Sequence, residues 1–239
     1  MNTSPIDIAG VSKSYNGKPA LKNAAFSLRE GEIFGLIGLN GAGKTTLIKI
    51  ILNLIRADAG QVHLFGRSIK DVESRRHLSY LPEKFQPSRY LQGDEYLDLS
   101  LSYYGKKFDK DKAKTMAIRI DLDPAVLSAR VGTYSKGMGQ KLGLLGAFLL
   151  DTPLLVLDEP MSGLDPRARI RLKEMILAAR QEGKTIFFSS HILSDIDQIC
   201  NRIGVIHEGA QHFVGTPAEF KASVNESVLE QAFLRQIEK

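Results

Sequence analysis

Gly38-Leu39-Asn40-Gly41-Ala42-Gly43-Lys44-Thr45 fits the pattern G-x-x-x-x-G-K-[ST], and what flanks it decides the fold. Before it, Ile33-Phe34-Gly35-Leu36-Ile37 reads as a short buried strand. After it, Thr46-Leu47-Ile48-Lys49-Ile50-Ile51-Leu52 reads as a helix packed on a sheet. A glycine-rich turn between strand and helix lets backbone N–H groups curl around phosphate oxygens, and the helix N-terminus adds its dipole. In that setting Asn40, Gly41, Ala42, Gly43, Lys44, Thr45 and Thr46 form the nucleotide cradle. Lys44 reaches the β- and γ-phosphates, and the Thr45 hydroxyl takes a place on Mg²⁺. The sequence therefore predicts a nucleotide site with Mg²⁺ as its cofactor.

Outward from the loop, the first thirty residues alternate apolar and polar positions, with turn signals at Asn16-Gly17 and Glu30-Gly31. They predict antiparallel strands leading into the loop strand. The stretch 59–66 reads as another strand closed by a turn. From about residue 85 to 150 the character becomes helical. Leu97, Leu101 and Tyr104 recur at helical spacing, a second helix covers 111–120, and a third begins near Ser135 and buries Leu142, Leu145 and Leu149. Strand and helix signals then resume: Leu154-Leu155-Val156-Leu157, a helix over 166–181 with Gly183 at its end, a strand over 185–189, and a helix from Leu193.

This alternation predicts an α/β fold. Its core is a largely parallel P-loop ATPase sheet, with an N-terminal antiparallel β-subdomain and an inserted helical subdomain. The segments are 1–84 (first half of the core with the β-subdomain), 85–150 (helical insertion), 151–215 (second half of the core) and 216–239 (a tail of one or two short amphipathic helices).

Composition sets limits. The chain has 239 residues with 43% hydrophobic and 25% charged content, ordinary for a globular protein with a substantial core. The net charge of +5 is modest and sits in no long tail, which argues against a nucleic-acid partner. The densest basic stretch, 106–114, is interleaved with acids and reads as a solvated helix face, with anionic lipid as the alternative neighbour. The single cysteine, Cys200, excludes an intramolecular disulfide and reads as a buried thiol on a helix face with Ile192, Ile196 and Ile199. The N-terminus shows no signal pattern, and no apolar run approaches the ~20 residues that span a bilayer. The expected location is cytoplasmic.

The strand 154–157 runs into Asp158-Glu159. Beside a phosphate loop, an aspartate ending a neighbouring strand supplies a second protein hold on Mg²⁺. A glutamate next to it can polarise the attacking water as general base.

Taken in order, the 38–45 loop, Tyr134-Ser135-Lys136-Gly137-Met138, Leu154-Leu155-Val156-Leu157-Asp158-Glu159-Pro160, Ser162-Gly163-Leu164-Asp165 and His191 resemble the ATP-binding subunit of an ABC transporter. The resemblance covers nearly the whole chain. It implies two nucleotide-binding subunits meeting head to tail, identical or paralogous, with two ATP molecules between them. Separate transmembrane permease subunits would hold the pair on the inner face of the cell membrane.

In that arrangement Ser135 and Gly137 act in trans on the partner's γ-phosphate, and His191 contacts the chain's own γ-phosphate. Asp165 touches across the interface, and Tyr15 stacks on adenine. Plainer readings stand beside these: Ser135 and Asp165 as helix N-caps, the latter with Pro166 at N1, and Tyr15 packing on the β-subdomain.

Two departures matter. Glu83, in Leu81-Pro82-Glu83, stands where many relatives carry a glutamine that touches Mg²⁺, and Tyr134, Lys136 and Met138 replace common signature residues. The Leu-Pro-Glu form and the tail segment 229–234 resemble the exporter branch with separate membrane subunits. The expected function is an ATPase subunit powering such an exporter through dimer closure and reopening. A soluble ABC ATPase serving a cofactor-assembly or regulatory complex is the alternative.

Overall fold

A computed structural model describes residues 4–238; residues 1–3 of the N-terminal stretch and residue 239 of the tail lie outside the described residues. Its centre is the parallel set β3 (Ile33–Ile37), β6 (Leu78–Leu81), β7 (Leu154–Leu157), β8 (Thr185–Ser190) and β9 (Arg202–His207). These strands lie side by side in the order β9-β3-β8-β7-β6. The antiparallel strands β1 (Ile6–Tyr15), β2 (Lys18–Ser27), β4 (Ala59–Leu64) and β5 (Arg67–Ser68) form the N-terminal subdomain.

The C-terminal part of the sequence holds two strands that its pattern did not announce, β9 and β10 (Ala210–Gly215). They form an antiparallel hairpin. β9 runs parallel to β3, while β10 has one ladder pair with β2, Ala210–Lys22, and a Gln211 side chain that hydrogen-bonds the Ala25 backbone. The β-subdomain and the ATPase core are thereby joined in one ten-stranded sheet among the described residues.

The core strands are buried on both faces, which explains their unbroken apolar runs. Ile33, Ile37, Leu155, Leu157, Ile186 and Phe188 face the layer built from α2 (Gly93–Ser102), α3 (Lys110–Arg119), α4 (Lys136–Leu149), α5 (Pro166–Gln181) and α6 (Leu193–Ile199). Phe34, Leu36, Leu154, Val156 and Phe187 face α1 (Lys44–Ile51) and the β-subdomain. There Phe26 stacks on Phe34 with ring centroids 5.0 Å apart. Truncating a core aromatic of this kind to alanine costs about 3–5 kcal/mol.

The tail forms α7 (Pro217–Ser223) and α8 (Leu229–Ile237), whose Phe220, Leu229 and Phe233 close the first of these layers. No helix of the described residues is long and apolar enough to cross a membrane.

Two details correct the sequence reading. α6 ends at Ile199, so Cys200 is not on its face but just past its end, in extended backbone. The thiol still packs inward against Gly35 of β3, where a Cβ would fall 2.8 Å from Sγ, and burial pushes its pKa well up. The basic stretch is only partly helical: α3 starts at Lys110 on the Asp109 cap. Lys106 instead donates to the carbonyl oxygens of Leu150 and Asp151 at the C-terminal end of α4, a favourable place for a cation.

Candidate active site

The parallel strands set their carboxyl ends in a row, and four of the five, β3, β6, β7 and β8, lead into residues named from the sequence. Ile37 pairs with Ser190, Leu157 with Phe188, and Leu81 with Leu157. The phosphate loop therefore follows β3, His191 follows β8, Asp158 and Glu159 follow β7, and Glu83 follows β6. Ligands of open α/β sheets bind along this edge.

The loop is clamped from outside. Gly43 has φ of 111°, and a Cβ there would lie 2.5 Å from the Ala20 carbonyl oxygen of β2. At Gly38 a Cβ would lie 2.3 Å from the Ile206 carbonyl oxygen of β9. The N–H of Gly209, in the β9–β10 turn, donates to the Ala42 carbonyl at 3.0 Å. Asn40, Gly41, Gly43, Lys44, Thr45 and Thr46 line a cavity that Glu83, Lys84 and Glu159 complete. The Ala42 side chain turns into the core, 5% exposed, and its N–H donates to the Leu39 carbonyl at 3.1 Å.

Lys44 and Glu159 are both buried, and their charges meet at 3.2 Å between Nζ and Oε1. Nζ also donates to the Gly38 carbonyl at 2.8 Å. The other carboxylate oxygen of Glu159 lies 2.7 Å from Nδ1 of His191 and accepts the His191 backbone N–H at 3.3 Å. Glu159 holds φ of 50°, an uncommon conformation for a residue with a Cβ, and such strain clusters at active sites. The loop Lys44, the strand-end Glu159 and the distant His191 thus form one contact set.

Asp158 is 1% exposed. One of its oxygens accepts the Ser189 hydroxyl at 2.5 Å, and that hydroxyl in turn accepts the Glu159 N–H at 2.9 Å. Its second oxygen, Oδ2, is buried with no hydrogen-bond partner. Burial raises the Asp158 pKa. The Ser189 and Thr45 hydroxyls oppose the rise, and the charges of Glu159 and Glu83 add to it.

An unpartnered, desolvated carboxylate oxygen among other carboxylates calls for a cation. Among the described residues no three His, Cys, Asp or Glu side chains group as a metal site. Mg²⁺, which uses one or two carboxylates together with substrate phosphates, fits the Thr45, Asp158 and Glu83 oxygens better than a full protein cage would.

The sign of the Asp158 shift makes a prediction. A carboxyl with a raised folded-state pKa costs stability while ionised, and that cost is relieved as pH falls through the raised value. Asp158→Asn is therefore expected to raise the melting temperature of the nucleotide-free protein at pH 7, with the gain shrinking on acidification, while Mg²⁺-dependent ATP binding weakens. A melting temperature that falls at pH 7 and does not converge with wild type in acid would contradict the assignment.

The remaining sequence candidates lie elsewhere. Ser135 caps α4, accepting the Met138 N–H at 3.2 Å, and faces a separate cavity with Phe85, Gln140 and Ser162. Gly137 packs on the Gly163 carbonyl, 3.2 Å from where its Cβ would be. Asp165 caps α5 through the Ala168 N–H at 2.9 Å. Tyr15 is 47% exposed, with the Lys13 ammonium 5.6 Å from its ring centroid. Neither Tyr15 nor Ser135 joins the phosphate-loop cavity.

Sequence reasoning missed Ser189 and Lys84. A serine in a fully buried strand was the available signal for the first.

A family model described as ABC transporter matches residues 21–162. An ABC transporter ATP-binding protein of Synechocystis sp. is 41% identical over 203 residues, which are 84% of this chain and 57% of that protein. The corresponding protein of Nostoc sp. is 38% identical, covering 86% and 62%. The chain thus spans about three-fifths of these relatives' length. Nod factor export ATP-binding protein I of Burkholderia orbicola is 34% identical, covering 91% and 72%.

Among solved structures, one described as the ATP binding subunit of an ABC transporter superposes with a TM-score of 0.89 at 29% identity, covering 98% of this chain and 99% of that one. The dimeric post-hydrolysis state of an ATP-binding cassette with ADP and Pi shares the fold at a TM-score of 0.81 and 20% identity, covering 88% and 98%. The chain belongs to the ABC transporter family, with the fold of its ATP-binding subunits.

Proposed function

We propose that this chain powers an ABC-type exporter as a head-to-tail dimer carried by separate membrane subunits on the inner face of the cell membrane. The observation that carries the proposal is Glu159 held between Lys44 and His191 at the rim of the phosphate-loop cavity. That geometry puts a proton acceptor beside the lysine and the histidine that would face a γ-phosphate.

In the reaction Lys44 leaves Glu159 for the phosphate oxygens, and His191 holds the γ-phosphate. The freed carboxylate orients water and takes its proton. Bound through Thr45, Asp158 and Glu83, Mg²⁺ would supply charge neutralisation at the phosphates. The rest is positioning and electrostatics, as phosphoryl transfer requires.

Ser135 faces a cavity other than the one around the chain's own phosphate loop, which supports its action, with the neighbouring Gly137, on a partner's ATP. The α4 N-terminus and the Ser135 hydroxyl give that surface anion-binding chemistry. ATP would close the dimer, and product charge repulsion would reopen it. Tyr15 stacks on adenine and Asp165 meets the partner.

Export is favoured by the Leu-Pro-Glu form at Glu83 and by the relative named for Nod factor export. Glu83 and Lys84 line both the phosphate cavity and the cavity beside Ser135, so the 83–104 segment suits a docked cytoplasmic helix of the membrane subunit.

Mild-detergent purification of the full chain from membranes tests this. A second polypeptide with membrane-spanning helices should co-purify in fixed ratio and stimulate ATP hydrolysis. An active ATPase recovered only with soluble partners would favour the cofactor-assembly reading instead.

A further inference from the structure

One buried cation joins the helix that offers Ser135 to the loop that carries Glu159. Lys141 stands on the second turn of α4 and is 8% exposed. A buried ammonium is costly unless its donors are met. Here Nζ donates to the Asp121 backbone carbonyl at 2.7 Å and lies 3.4 Å from carboxylate oxygens of both Asp121 and Asp165.

Asp121 occupies the turn after α3 with φ of 61°, a conformation aspartate tolerates better than most residues. Arg167, in the first turn of α5, reaches the other Asp121 oxygen at 3.1 Å. One residue before Lys141, the buried Gln140 amide donates to the Pro160 carbonyl at 3.2 Å. The helix α4, the turn after α3 and the loop from Glu159 to Asp165 therefore meet at Gln140 and Lys141.

Neither helix needs this junction to form. α5 already starts on the Asp165–Ala168 cap, and α4 on the Ser135–Met138 cap. What the junction sets is their relative position. Ser135 and Lys141 are six residues apart on one rigid helix, about 9 Å along its axis, and Pro160 directly follows Glu159.

We infer that Lys141, seconded by Gln140, is a positioning residue that locks the 160–165 loop to the signature helix. The glutamate facing the chain's own ATP and the serine offered to the partner's ATP then shift as one body. This rests on the trans reading of Ser135. It provides a direct physical link between the two ATP sites of a dimer: a loop displaced by nucleotide at Glu159 carries α4 with it.

The test uses the full chain as Lys141→Met, Lys141→Arg and Asp121→Asn. Lys141→Met keeps the side chain's bulk but removes the donor from one oxygen each of Asp121 and Asp165 and from the Asp121 carbonyl. Its affinity for Mg-ATP as a monomer should stay within about twofold of wild type, since the phosphate cavity is untouched. ATP hydrolysis should fall about tenfold, and amide hydrogen exchange over 160–165 in the nucleotide-free chain should accelerate by a similar factor.

Lys141→Arg should restore both, because charge and donors return. Asp121→Asn should show a smaller defect that does not add to that of Lys141→Met. It also serves as the test variant should Lys141→Met fail to fold. Unchanged exchange and hydrolysis in Lys141→Met, or an equal loss in Lys141→Arg, overturns the inference.

Dimerisation separates it from the reading beneath. If the Glu159→Gln chain does not dimerise with Mg-ATP, the interface needs more than nucleotide to close, and exchange at 160–165 still judges the lock. If that chain dimerises and Glu159→Gln/Lys141→Met dimerises equally with unchanged exchange, only the lock fails.

Discussion

Glu159→Gln is expected to bind Mg-ATP at least as tightly as wild type, to accumulate as a dimer, and to lose at least about a hundredfold in turnover, the scale of a positioned general base. The structure gives a reason for each part. An amide cannot accept the proton of the attacking water, so the chemical step fails. The same change removes the negative charge that pairs with Lys44 at 3.2 Å, so Lys44 no longer has to leave an ion pair to meet phosphate. It also leaves a buried side chain of nearly equal shape between Lys44 and His191, so the fold around β7 and β8 is kept.

Light scattering after gel filtration, with and without Mg-ATP, reads the dimer, and phosphate release reads turnover. Turnover near wild type would remove Glu159 from the role of base. A chain that stays monomeric with ATP bound would mean that the subunit interface needs more than nucleotide to close, and membrane subunits supply the obvious addition.

The motif that opens the sequence carried most of the site because its function is local. A phosphate loop needs glycines, a lysine and a hydroxyl at fixed spacing between a strand and a helix, and all of that is written within 38–45. The carboxylates were legible for a related reason: a strand buried on both faces is an unbroken apolar run, and Asp158-Glu159 interrupts it at its end.

What the sequence could not display is partnership at a distance. Ser189 orders Asp158 and Glu159 from thirty residues away and looks like any serine in a strand. Lys141 reads as one basic residue in a leucine-rich helix until Asp121 and Asp165 are seen around it. The strands β9 and β10 escaped because 202–215 mixes charged, glycine and half-buried positions. Only the register against β3 and the ladder pair with β2 reveals their place.

Ser135→Arg separates the two halves of the site most sharply. Ser135 lines a cavity with Phe85, Gln140 and Ser162 and does not join Lys44, Thr45 and Glu159 around the phosphate loop. An arginine there should leave the monomer's affinity for Mg-ATP within about twofold and should fold normally. Losing the N-cap oxygen costs α4 about 1 kcal/mol, a small part of a domain's stability.

Hydrolysis should nevertheless fall to background. The bulky side chain occupies the surface where the partner's γ-phosphate must approach the α4 N-terminus, so the site it faces cannot turn over. The decisive form of the experiment mixes Ser135→Arg with Lys44→Ala chains. Each lacks a different half of the composite site, so a mixed dimer retains one site with an intact phosphate loop and an intact signature segment. Recovery of part of the wild-type rate on mixing, from two inactive preparations, is the expected result. No recovery, or loss of ATP binding by the Ser135→Arg monomer alone, would place Ser135 in the chain's own site and dissolve the trans arrangement.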